Sequence, residues 1–309
     1  MPGADSKLAD EISRDVATRE TIRMEQHSDL SAAEISANVR TELGLPYGDV
    51  GGRKLTLDLF TPKNQPARPR PAIIFLHGGG WWMGKPAQFH FHSSFLAARY
   101  GFFAVNVDYR LSGEAQFPAP LQDAKCAVRW VRSKCGECNI DPERIAIGGG
   151  SAGAHLASLV LTTAGVPEYE GSGGNAGYGS EVNLGIFFNG EFDLWDLVGK
   201  EIFKEPMRRF LGGLPDDMPD QYSAASSIRR IHTGVPPVLF LHGTEDKCVS
   251  HEQSLAFHRK LIALGIHSEI ELYDGKPHAW FNFEPDRTIT LRRMERFLVE
   301  QFHLPSIAK

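Results

Sequence analysis

The sequence predicts an α/β protein: a mostly parallel central sheet with helices on both faces and a small inserted cap. Three observations carry this prediction. Apolar runs at residues 72–76, 102–107, 182–188 and 238–241 are nearly continuous, as strands buried on both faces require. Segments of helical spacing separate them, and the strand–helix rhythm persists from about residue 46 to the end, which implies a mostly parallel sheet covered on both faces. Only residues 195–232 interrupt it, so this stretch is the expected cap over the sheet's carboxyl edge.

The elements follow in order. Residues 1–45 are polar and read as a helical extension. Leu8, Ile12 and Val16 line one helix face, and Ser31 with Glu34 forms a capping box opening a second helix that carries Ile35, Val39 and Leu43. This extension either packs on the body or acts as a flap. Residues 54–60 alternate like an exposed edge strand, and a proline-rich link at 62–71 leads into the strands at 72–76 and 102–107. A helix at 121–131, a strand at 144–147, a helix at 156–161 and a strand at 182–188 come next. After the cap, a strand at 238–241, a helix at 254–264, a strand at 269–272 and a helix at 288–301 close the 309-residue chain. Residues 46–309 thus form one large domain. The glycine-rich loop at 171–179 (GSGGNAGYG) is expected to be mobile.

Composition excludes several classes. With 38 acidic against 33 basic residues, a net charge of −5, the chain is not a strongly basic nucleic-acid binder. No apolar run approaches the roughly 18 to 20 residues that span a bilayer. The N-terminus lacks the apolar centre of a secretory signal, which leaves a cytoplasmic chain or one whose signal has been removed. Four cysteines are too few for a disulfide scaffold. Cys135 and Cys138 have zinc-like spacing but supply only half of a tetrahedral site, so they read as thiols or one local disulfide, with no metal. The sequence sets no oligomeric state.

Chemistry is sought at the carboxyl ends of the strands, where open α/β sheets bind ligands. After the strand at 144–147 comes Gly149-Gly150-Ser151-Ala152-Gly153. A serine on a very tight strand-to-helix turn is forced outward, and its neighbours two residues away must be small because strand and helix crowd there. The following helix points its N-terminus at developing negative charge. Gly148, Gly150 and Gly153 also fit a dinucleotide fingerprint. That reading needs an acidic residue at the end of the next strand, whereas Glu168 and Glu170 lie in a loop with no strand before them.

A second piece, His77-Gly78-Gly79-Gly80-Trp81, follows the strand at 72–76. The tetrahedral intermediate of acyl transfer carries an oxyanion that needs fixed donors in a dry pocket. The backbone N–H groups of Gly79, Gly80 and Ala152 are the candidates. The third piece is an acid and a histidine after the serine: Asp246 beyond the strand at 238–241 and His278 beyond the strand at 269–272. His278 would take the serine proton and Asp246 would fix its tautomer, with Glu245 as an alternative acid.

These motifs, with Asp108-Tyr109-Arg110-Leu111, Phe117-Pro118-Ala119, Asp141-Pro142-Glu143-Arg144-Ile145, His155-Leu156-Ala157 and His242-Gly243-Thr244, resemble the α/β-hydrolase serine esterases of the esterase/lipase group with an HGGGW loop. Within that group the chain is most similar to the bifunctional feruloyl and acetylxylan esterases, over about residues 55–302. The resemblance implies an α/β-hydrolase fold, a Ser151–Asp246–His278 triad, an oxyanion hole at Gly79, Gly80 and Ala152, a small-molecule ester as partner, and hydrolysis without a cofactor. Amide cleavage on the same triad, or an inactive hydrolase-fold binding protein, are the alternatives. Trp82 and the segment Asn189-Gly190-Glu191-Phe192-Asp193 depart from the family text.

Other tempting residues read as structural. His155 should point down its helix, His77 should brace its loop, and Asp108 with Arg110 should form a local corner. His90 and His92 either line an entrance or sit on the surface. Trp81, Trp82 and Trp280, with Phe281, flank the catalytic loops and could stack on an aryl acyl group or a sugar face.

Overall fold

The computed structural model describes residues 30–64 and 67–305. Its centre is an eight-stranded sheet: β1 (Val39–Val50), β2 (Arg53–Pro62), β3 (Arg70–Leu76), β4 (Phe103–Asp108), β5 (Ile140–Gly150), β6 (Leu184–Phe188), β7 (Val238–Gly243) and β8 (Ser268–Tyr273). The spatial order is β1-β2-β4-β3-β5-β6-β7-β8. The first two junctions, β1 with β2 and β2 with β4, are antiparallel, and all those from β4 to β8 are parallel.

Strand β3 shows why the apolar runs are continuous. Every residue of it is buried. Ala72, Ile74 and Leu76 enter one core while Ile73 and Phe75 enter the other, because successive side chains point to opposite faces. The first core is covered by α3 (Ala119–Ser133), α4 (Ala152–Thr162) and α8 (Glu252–Ala263), through residues such as Leu121, Leu156 and Phe257. The second is covered by α1 (Ala32–Asn38), α2 (His90–Tyr100) and α9 (Asp286–Gln301), through Ile35, Phe95, Met294 and Phe297. Burying one such large apolar side chain stabilises the fold by about 1.5–3 kcal/mol.

Several expectations need correction. The capping box is present, with Glu34 N–H donating to Ser31 Oγ and Ser31 N–H to Glu34 Oε2. The helix it opens, however, stops at Asn38. Residues 39–45 belong to β1, because Gly44 and Pro46 break helical continuity and the chain finds a ladder on β2 instead. Leu43, expected on a helix face, is exposed. Strand β2 is therefore not the edge; β1 covers it. The helix expected around Leu8, Ile12 and Val16 lies outside the described residues. Helix α2 was not anticipated, since buried His92 and Ser93 break its apolar pattern. The glycine-rich loop is pinned rather than free: Gly173 O accepts from Asp49 N–H, Gly174 O from Arg129 and Tyr47 O from Asn175.

The segment at 195–232 carries α6 (Glu201–Leu211) and α7 (Pro219–Ala224). It packs on the loops after β3 and β4: Phe210 stacks on Trp81 at 4.7 Å, and Phe210 O accepts from Phe117 N–H.

Candidate active site

Ser151 sits between the end of β5 and the start of α4 with φ 51° and ψ −125°. A non-glycine residue in that region carries about 1–3 kcal/mol of strain. The surroundings hold it there. Ser151 N–H donates to Phe188 O of neighbouring β6. A Cβ on Gly153 would lie 2.1 Å from Leu76 O, and one on Gly149 would lie 2.5 Å from the Gly153 carbonyl carbon. The glycines two residues either side of the serine are therefore required by contact between β3, β5 and α4.

The loops after β7 and β8 bring the relay to this elbow. His278 Nε2 lies 3.1 Å from Ser151 Oγ, and His278 Nδ1 lies 2.6 Å from Asp246 Oδ2. Asp246 is heavily engaged: Oδ1 accepts from the backbone N–H groups of Cys248 and Val249, and His242 Nε2 stands 3.3 Å from Oδ2. Burial alone would raise the Asp246 pKa, but the bonds from His242 and His278 and the Val249 amide hold it well below the usual carboxylate range. For His278, burial works against the charged form, yet the Asp246 hydrogen bond and charge outweigh it and raise the imidazole. Glu245 is exposed and does not join the relay.

The glycine loop is braced from two sides. Tyr109 Oη donates to His77 O at 2.7 Å, and the two rings stack at 4.3 Å. Gly78 N–H donates to Gln88 Oε1, whose amide donates in turn to Asn282, four residues past His278. Gly79 and Gly80 adopt φ of 120° and 57°, left-handed values that favour glycine. Ala152 opens α4, so its N–H belongs to the first helical turn, where no intrahelical acceptor exists.

The expected structural residues divide. His77 braces its loop as expected. His155 accepts from Trp81 Nε1 at 3.0 Å and reaches Ala225 O at 2.7 Å, and burial lowers its pKa to about 4, so it is a neutral internal strut. Asp108 and Arg110 do not form a corner together. Arg110 makes a two-bond pair with Asp123 on α3, while Asp108 faces Arg53. His92 is neither entrance nor surface: it is fully buried among Phe75, Phe89 and Phe188, and burial lowers its pKa to about 3. His90 bonds Asp58.

The aromatic candidates need the largest correction. Trp81 has no exposed surface, stacked on Phe210 with its N–H spent on His155, so it cannot touch a substrate. Trp280 is 3% exposed and packs on Tyr273 and Phe281. Phe281 lies under the elbow, against Gly150. Only Trp82, 46% exposed, keeps a ring available.

Sequence reasoning missed Glu191. It is fully buried just beyond β6, and its Oε1 accepts from Ser151 Oγ at 2.9 Å. The available signal was the departure of residues 189–193 from the family text. Asn189 comes from the same stretch, its amide 3.3 Å from each ring nitrogen of His278. Ligand atoms of Asp246, Cys248 and His278 also lie within 4.8 Å of one another. Asp246 and His278 spend theirs on each other, and burial raises the Cys248 thiol, so this donor set fits proton relay better than cation binding. Cys135 and Cys138 are free thiols.

Comparison with known proteins places the chain in a family. The chain matches the BD-FAE family over residues 57–261. It is 33% identical to Esterase LipQ of Mycobacterium tuberculosis over 80% of this chain and 58% of that protein. The chain spans about half the length of the curated relatives it matches. Among solved structures it is similar to a thermophilic esterase, Est2, of the planctomycete Thermogutta terrifontis. The propionate-bound form superposes with a TM-score of 0.73 at 31% identity, covering 88% of this chain and 97% of that one. The butyrate-bound form gives 0.74 at 30%, covering 90% and 100%. The chain belongs to the BD-FAE family and has the α/β-hydrolase fold.

Proposed function

We propose that this protein is a serine carboxylesterase that removes short acyl groups through an acyl-enzyme. The observation that carries the reading is the unbroken relay from Asp246 Oδ2 through His278 to Ser151 Oγ, at 2.6 and 3.1 Å, on a strained elbow. Ser151 attacks the ester carbonyl as His278 Nε2 takes its proton. The carbonyl oxygen becomes an oxyanion facing the Gly79, Gly80 and Ala152 amides, and His278 returns the proton to the departing alcohol. Water, activated by His278, then releases the acid. Residues 195–232 cap the site, and Phe210 ties that cap to the glycine loop.

Acyl size follows from the corrected aromatics. With Trp81 and Trp280 buried, little ring surface is left for an aryl acid, which favours acetyl to butyryl groups. The propionate and butyrate forms of the Thermogutta esterase support the same range. A feruloyl ester keeps one supporting observation, the exposed Trp82 ring.

Replacing Ser151→Ala should lower ester turnover by about 10⁴-fold or more while the melting transition persists. Covalent labelling by a fluorophosphonate should vanish with it. In a panel of acetyl, propionyl, butyryl, decanoyl and feruloyl esters, kcat/KM should peak among the short acyl groups. Activity retained by the alanine variant, or a preference for decanoyl esters, contradicts the reading.

A further inference from the structure

Ser151 Oγ has one hydrogen and two acceptors within reach: His278 Nε2 at 3.1 Å and Glu191 Oε1 at 2.9 Å. A serine hydroxyl can donate to only one of them at a time. If Glu191 is a carboxylate, it is the stronger acceptor, because bonds to ionised oxygens are roughly twice as strong as neutral ones. The hydrogen then points away from the base that must receive it. If Glu191 carries a proton, the direction reverses: its O–H donates to an Oγ lone pair, and the serine hydrogen is left for His278.

Resting on the esterase reading, we propose that Glu191 is a second acid–base partner of the nucleophile. As a carboxylic acid it orients Ser151 toward His278; as a carboxylate it captures the serine hydrogen and switches attack off.

The environment moves the exchange between the two forms up to near neutral pH. Glu191 is fully buried, and its Oε2 has no hydrogen-bond partner. Burial is the largest influence on its acidity; the His278 charge and the Ser151 bond oppose it and Asp246 reinforces it, leaving the pKa raised to about 7. Ionisable side chains that interact with it are His278 and Asp246 from the loops after β8 and β7, Tyr109 from the loop after β4, and Cys248.

Neither end of its loop lets the side chain swing out. Asn189 N–H is fixed to Leu241 O, and Phe192 and Asp193 N–H both donate to Gln253 Oε1. A Cβ on the intervening Gly190 would come within 2.8 Å of Ala154 on α4. The carboxyl group is thus built into the nucleophile's floor.

The proton account balances. During attack the Ser151 O–H bond breaks, its hydrogen moves to His278 Nε2, and Oγ bonds to the acyl carbon; Glu191 keeps its own proton. His278 passes that hydrogen to the departing alcohol; in hydrolysis it takes a proton from the attacking water, and Oγ, departing from carbon, recovers it from His278. The Glu191 O–H steadies the negative charge that gathers on Oγ as the bond opens. An ionised Glu191 would instead set a second negative charge beside the developing oxyanion.

The test compares wild type with Glu191→Gln, whose amide N–H mimics the acid's donor but cannot ionise. Wild-type kcat/KM should form a bell, falling about tenfold or more between about pH 7 and about pH 9, while E191Q stays level to within about twofold over that range. Glu191→Val, which removes the second acceptor altogether, should also lose the alkaline fall, so the outcome does not hang on one variant. The same fall in all three proteins, or none in wild type, overturns the proposal. Infrared difference spectra of wild type minus E191Q separate this proposal from the esterase reading. A protonated carboxyl band should be present at about pH 6 and absent at about pH 9, whatever esters the protein cleaves. Absence of the band at about pH 6 overturns the proposal even if ester hydrolysis is intact.

Discussion

Two loops on the same sheet edge each deliver a carboxyl group to one relay, and they treat it in opposite ways. The loop after β7 surrounds Asp246 with two backbone amides and two imidazoles. The loop after β6 gives the more deeply buried Glu191 one hydroxyl partner and its own backbone amide, and leaves its second oxygen unbonded. Burial disfavours charge on both, more strongly at Glu191, and the donors around Asp246 outweigh it there. Asp246 is held ionised and Glu191 is pushed toward neutrality. Two carboxyls with pKa values driven apart can serve one serine in different protonation states, which one carboxyl, or two alike, could not do.

The largest effect should come from breaking the ionised side. Asp246→Asn keeps the shape but reverses the hydrogen-bond demand on His278 Nδ1, and kcat should fall by about 10³–10⁴-fold, measured on an acetyl ester at neutral pH. The contrast also predicts stability curves of opposite slope. Asp246 has a folded pKa below its unfolded one, so its contribution is present above the unfolded value and is lost as pH falls. Glu191 has a folded pKa above its unfolded one. Between 4.5 and about 7 the folded state holds a proton that the unfolded state has released, so stability drops as pH rises through that window. The drop is at most about 3.5 kcal/mol, at about 1.4 kcal/mol per unit. Urea unfolding at about pH 5 and about pH 8 should show this loss in wild type and not in E191Q. The smallest effect belongs to the rim. Trp82→Ala should change stability by less than about 0.5 kcal/mol. It should lower kcat/KM on a feruloyl ester by about threefold to tenfold relative to acetyl, which competition between the two substrates would measure.

The same contrast separates what the sequence could and could not tell. Ser151, Asp246 and His278 were legible because their chemistry demands local signatures: small residues around a forced elbow, and an acid and a histidine each just past a strand. The parallel order of the sheet was legible because strands buried on both faces need unbroken apolar runs. Glu191 was not legible, because its meaning lies in a 2.9 Å approach between two neighbouring strand ends, 40 positions apart in sequence. The tryptophans misled for a related reason. Being next to a catalytic residue in sequence does not say which way a ring points, and Trp81 turned inward to His155 while Trp280 turned toward Tyr273. Val39 and Leu43 carried helical spacing that continued past the real stop at Asn38, where pairing with β2 outweighed local propensity.

The indole of Trp81 has one more consequence. It joins three parts of the molecule, since its ring lies on Phe210 while its N–H meets His155, and His155 in turn holds Ala225. The segment at 195–232 is thereby keyed into the same strut that steadies the glycine loop. Exchanging residues 195–232 for a foreign segment would pull out that key, so substrate preference is better altered through single side chains than by exchanging whole modules.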